Sequence, residues 1–166
     1  MRSFYWILFV VLIFANVSLY QTIFAPPLLE VHIFDVGKGD ATLVRTPSGK
    51  TLLIDAGPDA SVLRALGSAL PMWQRSLDAV ILTSEVHGST GGLPAVTERY
   101  RIKSIIRLSE STEHLPLGDA VYLDTVLPIK KAKDPLVLRV SYGSTLLTIS
   151  SSTPAGVYTL DGKTVK

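Results

Sequence analysis

The chain of 166 residues holds three histidines and no cysteine, so the supply of groups bounds its chemistry before any fold is considered. His87 sits in the most suggestive place, inside the polar stretch Thr83-Ser84-Glu85-Val86-His87-Gly88-Ser89-Thr90-Gly91-Gly92, between two apolar runs. Its neighbours Val86, Gly88 and Ser89 offer no second strong ligand, because a serine hydroxyl is far too weak an acid to replace an imidazole on a metal. A two-metal hydrolytic centre needs about five or six histidine and carboxylate ligands to hold a bridging water and lower its pKa toward ~7. Asp35, Asp40 and Asp55 each lie within two residues of a glycine. A short carboxylate in that position accepts backbone N–H bonds and sets a turn, a role that needs no metal. Lys38, between Gly37 and Gly39, is read as a loop residue, with a small anion nest of backbone amides as the functional alternative. His32 is expected half-exposed on a strand, facing away from Val31 and Ile33, and His114 is expected in a loop. No Ser-His-Asp or Cys-His arrangement can be assembled in sequence order, and Ser150, Ser151 and Ser152 have no adjacent base, so nucleophilic catalysis is unsupported.

These residues need elements to position them, and the periodicities supply an α/β order. Leu29, Val31 and Ile33 alternate with Glu30, His32 and Phe34 at period two, and strands over 41–46 and 51–55 flank the hairpin signal Pro47-Ser48-Gly49-Lys50. After Pro58, Asp59 or Ser61 can cap a helix whose apolar positions Val62, Leu63, Leu66, Ala69 and Leu70 fall at helical spacing before Pro71. A strand is expected over 77–83, with Ala79 to Leu82 buried. A polar loop then leads to Gly91-Gly92 and a helix from about 93 to 100, with a partner strand over 104–108. The segments 120–127, 136–141 and 144–149 and a hairpin around Asp161-Gly162 are strand-like.

Composition points to one modest domain with an apolar addition. Hydrophobic residues make up 47% of the chain and charged residues only 18%, which lies on the apolar side of soluble norms. The excess is N-terminal: no charge occurs from Phe4 to Phe24, and the uncharged run continues to Leu29. At about 1.5 Å per residue it covers the roughly 30 Å hydrocarbon core of a bilayer. Residues 1–25 are therefore expected to form a membrane anchor that contacts lipid through 4–24. The alternative is a cleaved signal peptide, although small-x-small cleavage sites are poorly met near Ala15 and Ala25. Arg2 precedes the span and Glu30 is the first charge after it, so the positive-inside bias leaves the N-terminus in the cytoplasm and the domain outside. A formal charge of +2 does not argue for nucleic-acid binding, and Lys130-Lys131 with Lys133 reads as an exposed loop.

Several blocks resemble one family. Val31-His32-Ile33-Phe34-Asp35-Val36-Gly37-Lys38-Gly39-Asp40-Ala41 is similar to the opening strand and glycine loop of the metallo-β-lactamase-like domain of the ComEC competence DNA-uptake proteins, where glutamine is usual at the position of Lys38. Arg45 to Pro58 resembles the second strand pair and Asp-x-Gly turn of the same family. The stretch 79–93 keeps the frame of the superfamily's His-x-His-x-Asp-His loop before a glycine pair, and its ligand positions fall on Ser84, Val86, Gly88 and Ser89. Leu136 to Thr148 resembles the strand pair that in active members ends in Leu-Thr-Gly-Asp, the Asp bridging two metals; here Ile149 and Ser150 follow.

The resemblance implies a truncated αββα sandwich over 29–166 whose second sheet is thin, preceded by one transmembrane helix. It implies zinc-dependent phosphodiester hydrolysis and DNA handling in active relatives. On this chain it implies no metal, no catalytic residue, and a residual cleft built from Asp35, Lys38, Asp40, Asp55 and His87. The expected role is a non-catalytic binding or scaffold domain on the outer side of a bacterial cytoplasmic membrane, with a second copy or a protein partner completing the thin sandwich. Nucleic acid is a partner by resemblance alone. The competing expectation is an active phosphodiesterase or nuclease of DNA uptake that uses an unorthodox site around His87.

Overall fold

A computed structural model describes residues 5–7, 9–14, 28–108, 114–118, 120–125, 137–150, 153–161 and 165. The chain builds a mixed sheet from β1 (Leu29–Ile33), β2 (Thr42–Arg45), β3 (Thr51–Ile54), β5 (Ala79–Leu82), β7 (Ile105–Arg107) and β12 (Gly156–Leu160). Their order is β12-β1-β2-β3-β5-β7. A second, antiparallel sheet holds β8 (His114–Gly118), β9 (Val121–Thr125), β10 (Leu138–Tyr142) and β11 (Thr145–Ile149) in the order β11-β10-β9-β8. The short strands β4 (Ser76–Leu77) and β6 (Arg101–Ile102) pair separately. Helices α1 (Ser61–Ala69), α2 (His87–Thr90) and α3 (Leu93–Arg99) lie in the connections after β3 and β5.

Side-chain alternation divides the core in two. Leu29, Val31, Val44, Leu52, Ile54, Ala79 and Ile81 face Leu123, Leu138, Val140, Leu147 and Ile149 between the sheets. Leu43, Leu53, Val80 and Leu82, on the opposite face of the large sheet, pack against Val62, Leu66 and Val96 of α1 and α3. β3 and β5 are buried at every position, as a strand covered on both faces must be, and they read as continuous apolar runs. The layers are helix, sheet, sheet. Among the described residues no helix covers the outer face of the second sheet, where Tyr122 and Leu146 are exposed.

Several local expectations are corrected. The strand expected over 77–83 is two strands, because Asp78 interrupts it: its carboxylate takes the Thr51 N–H at 2.8 Å and the Lys103 ammonium at 2.6 Å. His114 opens β8 instead of lying in a loop. The loop after β5 contains a helical turn, α2. α1 begins on Ala60 with no side-chain cap, while Asp59 accepts the Ser61 N–H at 2.8 Å just ahead of it. His32 is more buried than a half-exposed strand residue, at 14% side-chain exposure, because β12 returns to pair with β1 and sets Val157 opposite it.

The N-terminal segment is helical at residues 5–7 and 9–14. No helix among the described residues is long and apolar enough to cross a membrane; the rest of the expected span, and the lysines 130, 131 and 133, lie outside those residues.

Candidate functional site

Three loops meet at the carboxyl ends of β3 and β5. They follow β1 (34–41), β3 (55–60) and β5 (83–92), and backbone bonds lace them together: Gly57 N–H to the Asp40 carbonyl at 3.0 Å, Ala56 N–H to Ser89 at 2.7 Å, and Gly92 N–H to Gly57 at 3.0 Å. Three glycines, Gly39, Gly91 and Gly92, permit this closeness. A Cβ on Gly92 would overlap the Ala56 and Asp59 carbonyl oxygens, and one on Gly39 would overlap the carbonyl of Gly88. No side chain larger than hydrogen fits these places.

Asp55 is the polar centre of the cluster. It is 3% exposed, holds a left-handed backbone at φ 56°, and accepts the Thr83 N–H at 2.9 Å and the Thr83 hydroxyl at 2.5 Å. Burial pushes its pKa up to about 7; the two Thr83 bonds oppose that rise and the nearby Asp40 charge adds to it. The carboxyl thus ties the end of β3 to the end of β5.

The four positions of the loop frame are now visible. Ser84 and Ser89 are brought together, hydroxyl to hydroxyl at 3.0 Å. Val86 is exposed, and Gly88 packs its backbone against Lys38 and Gly39. Ser150 lies at the same end of the molecule, past β11, where its N–H is bonded to the Thr153 hydroxyl at 2.9 Å. Hydroxyls bonded to each other, an alkyl side chain and a glycine do not fit a zinc ion. Among the described residues no three His, Cys, Asp or Glu side chains gather to hold one.

The five residues read as a residual cleft lie on the three converging loops. Asp40 and Asp55 interact electrostatically. Asp35 instead accepts the Gly37 N–H at 3.2 Å and lines an open groove of about 450 Å³ with Asp59, Ser61 and Arg64 of α1. Lys38 is exposed. His87 is exposed on α2 and lies near Asp59, whose carboxyl is held low by its bonds from Ser61, with smaller help from His87 and Arg64. Sequence reasoning missed Thr83 and read Asp59 only as a helix cap. The available signal for Thr83 was a hydroxyl directly after a wholly apolar strand.

No family model matches the sequence, and no curated protein matches it. Solved structures do resemble it. The metallo-β-lactamase fold protein YhfI from Bacillus subtilis shares 17% identity over 72% of this chain and 61% of its own, at a TM-score of 0.52. A HARLDQ-motif metallo-β-lactamase from Cronobacter sakazakii shares 14% over 70% of this chain and 55% of its own, at 0.51. A motif mutant of the Cronobacter sakazakii metallo-β-lactamase shares 13% over 70% and 60%, at 0.50. The chain has the metallo-β-lactamase fold, and it spans roughly three fifths of the length of these neighbours.

Proposed function

We propose that this is a membrane-anchored metallo-β-lactamase-fold protein of the ComEC-like kind, in which the hydrolytic centre has become a hydrogen-bonded structural cluster and the domain serves as a non-catalytic binding or scaffold module. The observation that carries the reading is the Ser84–Ser89 hydroxyl pair at 3.0 Å, in the place where the resemblance puts two imidazoles. The loops keep their convergence because backbone bonds and Asp55 hold it, and none of these needs a metal.

The anchor is supported by the helical residues at 5–7 and 9–14, whose large apolar side chains are exposed all round the helix, from Tyr5 to Phe14; a helix apolar on every face needs a lipid or protein cover. The domain then sits outside the cytoplasmic membrane, with a second copy or a protein partner over the bare outer face of the second sheet.

The test is elemental analysis of the full chain purified in mild detergent, with melting curves in the presence and absence of EDTA and an assay on a phosphodiester reporter. Far less than stoichiometric zinc or manganese, an unmoved melt and no cleavage are expected, since a bound metal would be linked to stability. Stoichiometric metal with activity lost on His87→Ala would overturn the reading in favour of a hydrolase with an unorthodox site.

A further inference from the structure

Opposite the loop cluster, the fold carries a feature that neither its core nor the site accounts for. α1 ends over the buried Leu70 and the chain turns through Pro71, Met72, Trp73 and Gln74, closed by Gln74 N–H to the Pro71 carbonyl at 2.9 Å. Met72 and Trp73, at the middle of the turn, are 85% and 84% exposed. Single exposed apolar residues are ordinary on a soluble surface, but two large adjacent ones at the tip of an ordered turn mark a contact.

The place of this turn is decided by bonds within the sheet. Glu30 pairs with Arg45 and Arg45 with Thr51 across β1, β2 and β3. The Thr51 hydroxyl accepts the Gln74 amide at 2.7 Å, and its N–H reaches Asp78 at 2.8 Å. The turn therefore lies at the end of the sandwich where Leu28 and Leu29 enter from the N-terminal apolar segment. Two arginines follow beside it. Arg75 and Arg101 are joined by an Arg101 N–H to Arg75 carbonyl bond of 2.9 Å, both are exposed, and neither makes an ion pair among the described residues. At this end of the sheet Asp78 is matched by Lys103 at 2.6 Å and Glu30 by Arg45 at 2.9 Å.

An indole with a flexible thioether, beside two guanidinium groups that make no ion pair among the described residues, suits the headgroup layer of an anionic bilayer, where tryptophan sits with its ring half-buried and each basic side chain gains from the surface potential. We propose that the Met72–Trp73 turn, with Arg75 and Arg101, is a second membrane contact. It docks the domain on the bilayer it is tethered to and points the loop cluster away from the lipid. This rests on the anchored reading above, because the tether supplies the local concentration that makes a small wedge sufficient.

The full chain contains two tryptophans, which separate the two ideas. In vesicles of phosphatidylethanolamine and phosphatidylglycerol, Trp6→Phe leaves Trp73 as the reporter and Trp73→Phe leaves Trp6. Trp73 is expected to emit to the blue and to be quenched more by a spin label near the headgroups than by one at mid-chain. Arg75→Gln and Arg101→Gln should each weaken that quenching interaction about fivefold, and vesicles without the anionic lipid should weaken it by the product of the two, roughly 25-fold. Quenched Trp6 with red-emitting, unquenched Trp73 would sink this proposal and leave the anchor standing; neither quenched would remove both. A blue-shifted Trp73 that stays unquenched and depends on the protein-to-lipid ratio would show a second copy on the turn and overturn the lipid assignment.

Discussion

Replacing Asp55 by asparagine isolates the buried carboxyl from every other titrating group. The folded carboxyl titrates near 7 and the unfolded one near 3.8. Between those values the folded protein keeps a proton that the unfolded chain has lost, so stability falls as pH rises, at about 1.4 kcal/mol per pH unit. The stabilisation is fully present below the unfolded value and is gone once pH passes the folded one, a total of about 4 kcal/mol over the roughly three-unit gap. From about pH 5 to about pH 8 the wild type should lose roughly 3 kcal/mol through this group. Asparagine keeps the acceptor for the Thr83 N–H, tolerates the left-handed backbone and does not titrate. Urea unfolding of both proteins across that range should give curves that nearly coincide at the acid end and diverge at the alkaline end, with Asp55→Asn the more stable by about 3 kcal/mol. A constant difference across pH would refute the buried-carboxyl argument, and a variant less stable at every pH would show that the Thr83 hydroxyl bond outweighs desolvation.

The close loop contact makes Gly92→Ala destabilising by about 1–3 kcal/mol, since its Cβ meets two carbonyl oxygens. Gly67→Ala, in mid-α1 with open space around it, should instead raise stability by about 0.5–1 kcal/mol; equal effects in thermal melts would contradict the loop geometry. Protease added to intact spheroplasts should digest the domain and leave the N-terminal segment in the membrane. Full protection would reverse the orientation, and a soluble, shortened product would favour a cleaved leader.

The elements that the sequence determined are those whose signal lies within about a dozen residues. The hairpin of β2 and β3 follows from alternation around Pro47-Ser48-Gly49-Lys50, α1 from the spacing of Val62, Leu66 and Leu70, and the β5-to-α3 frame from an apolar run, a polar loop and a glycine pair. The aspartates beside the glycine turns and the serines of the loop after β5 were legible in the same way, because each is a residue type at a fixed offset from a strand. Tertiary structure decided what depends on partners far along the chain. β12 covers β1 and buries His32. Asp78 breaks a strand because Thr51 and Lys103 arrive from elsewhere to bind it. Asp55 becomes a clamp only when Thr83, 28 residues on, comes within 2.5 Å. Asp35 parts from Asp55 because the loop after β1 leaves its carboxylate on a surface groove, while the loop after β3 begins in the buried layer beneath it. A local pattern states that a side chain prefers burial or a turn; which group it meets there is chosen by the packing of the two sheets as a whole, where burying one surface excludes the alternatives.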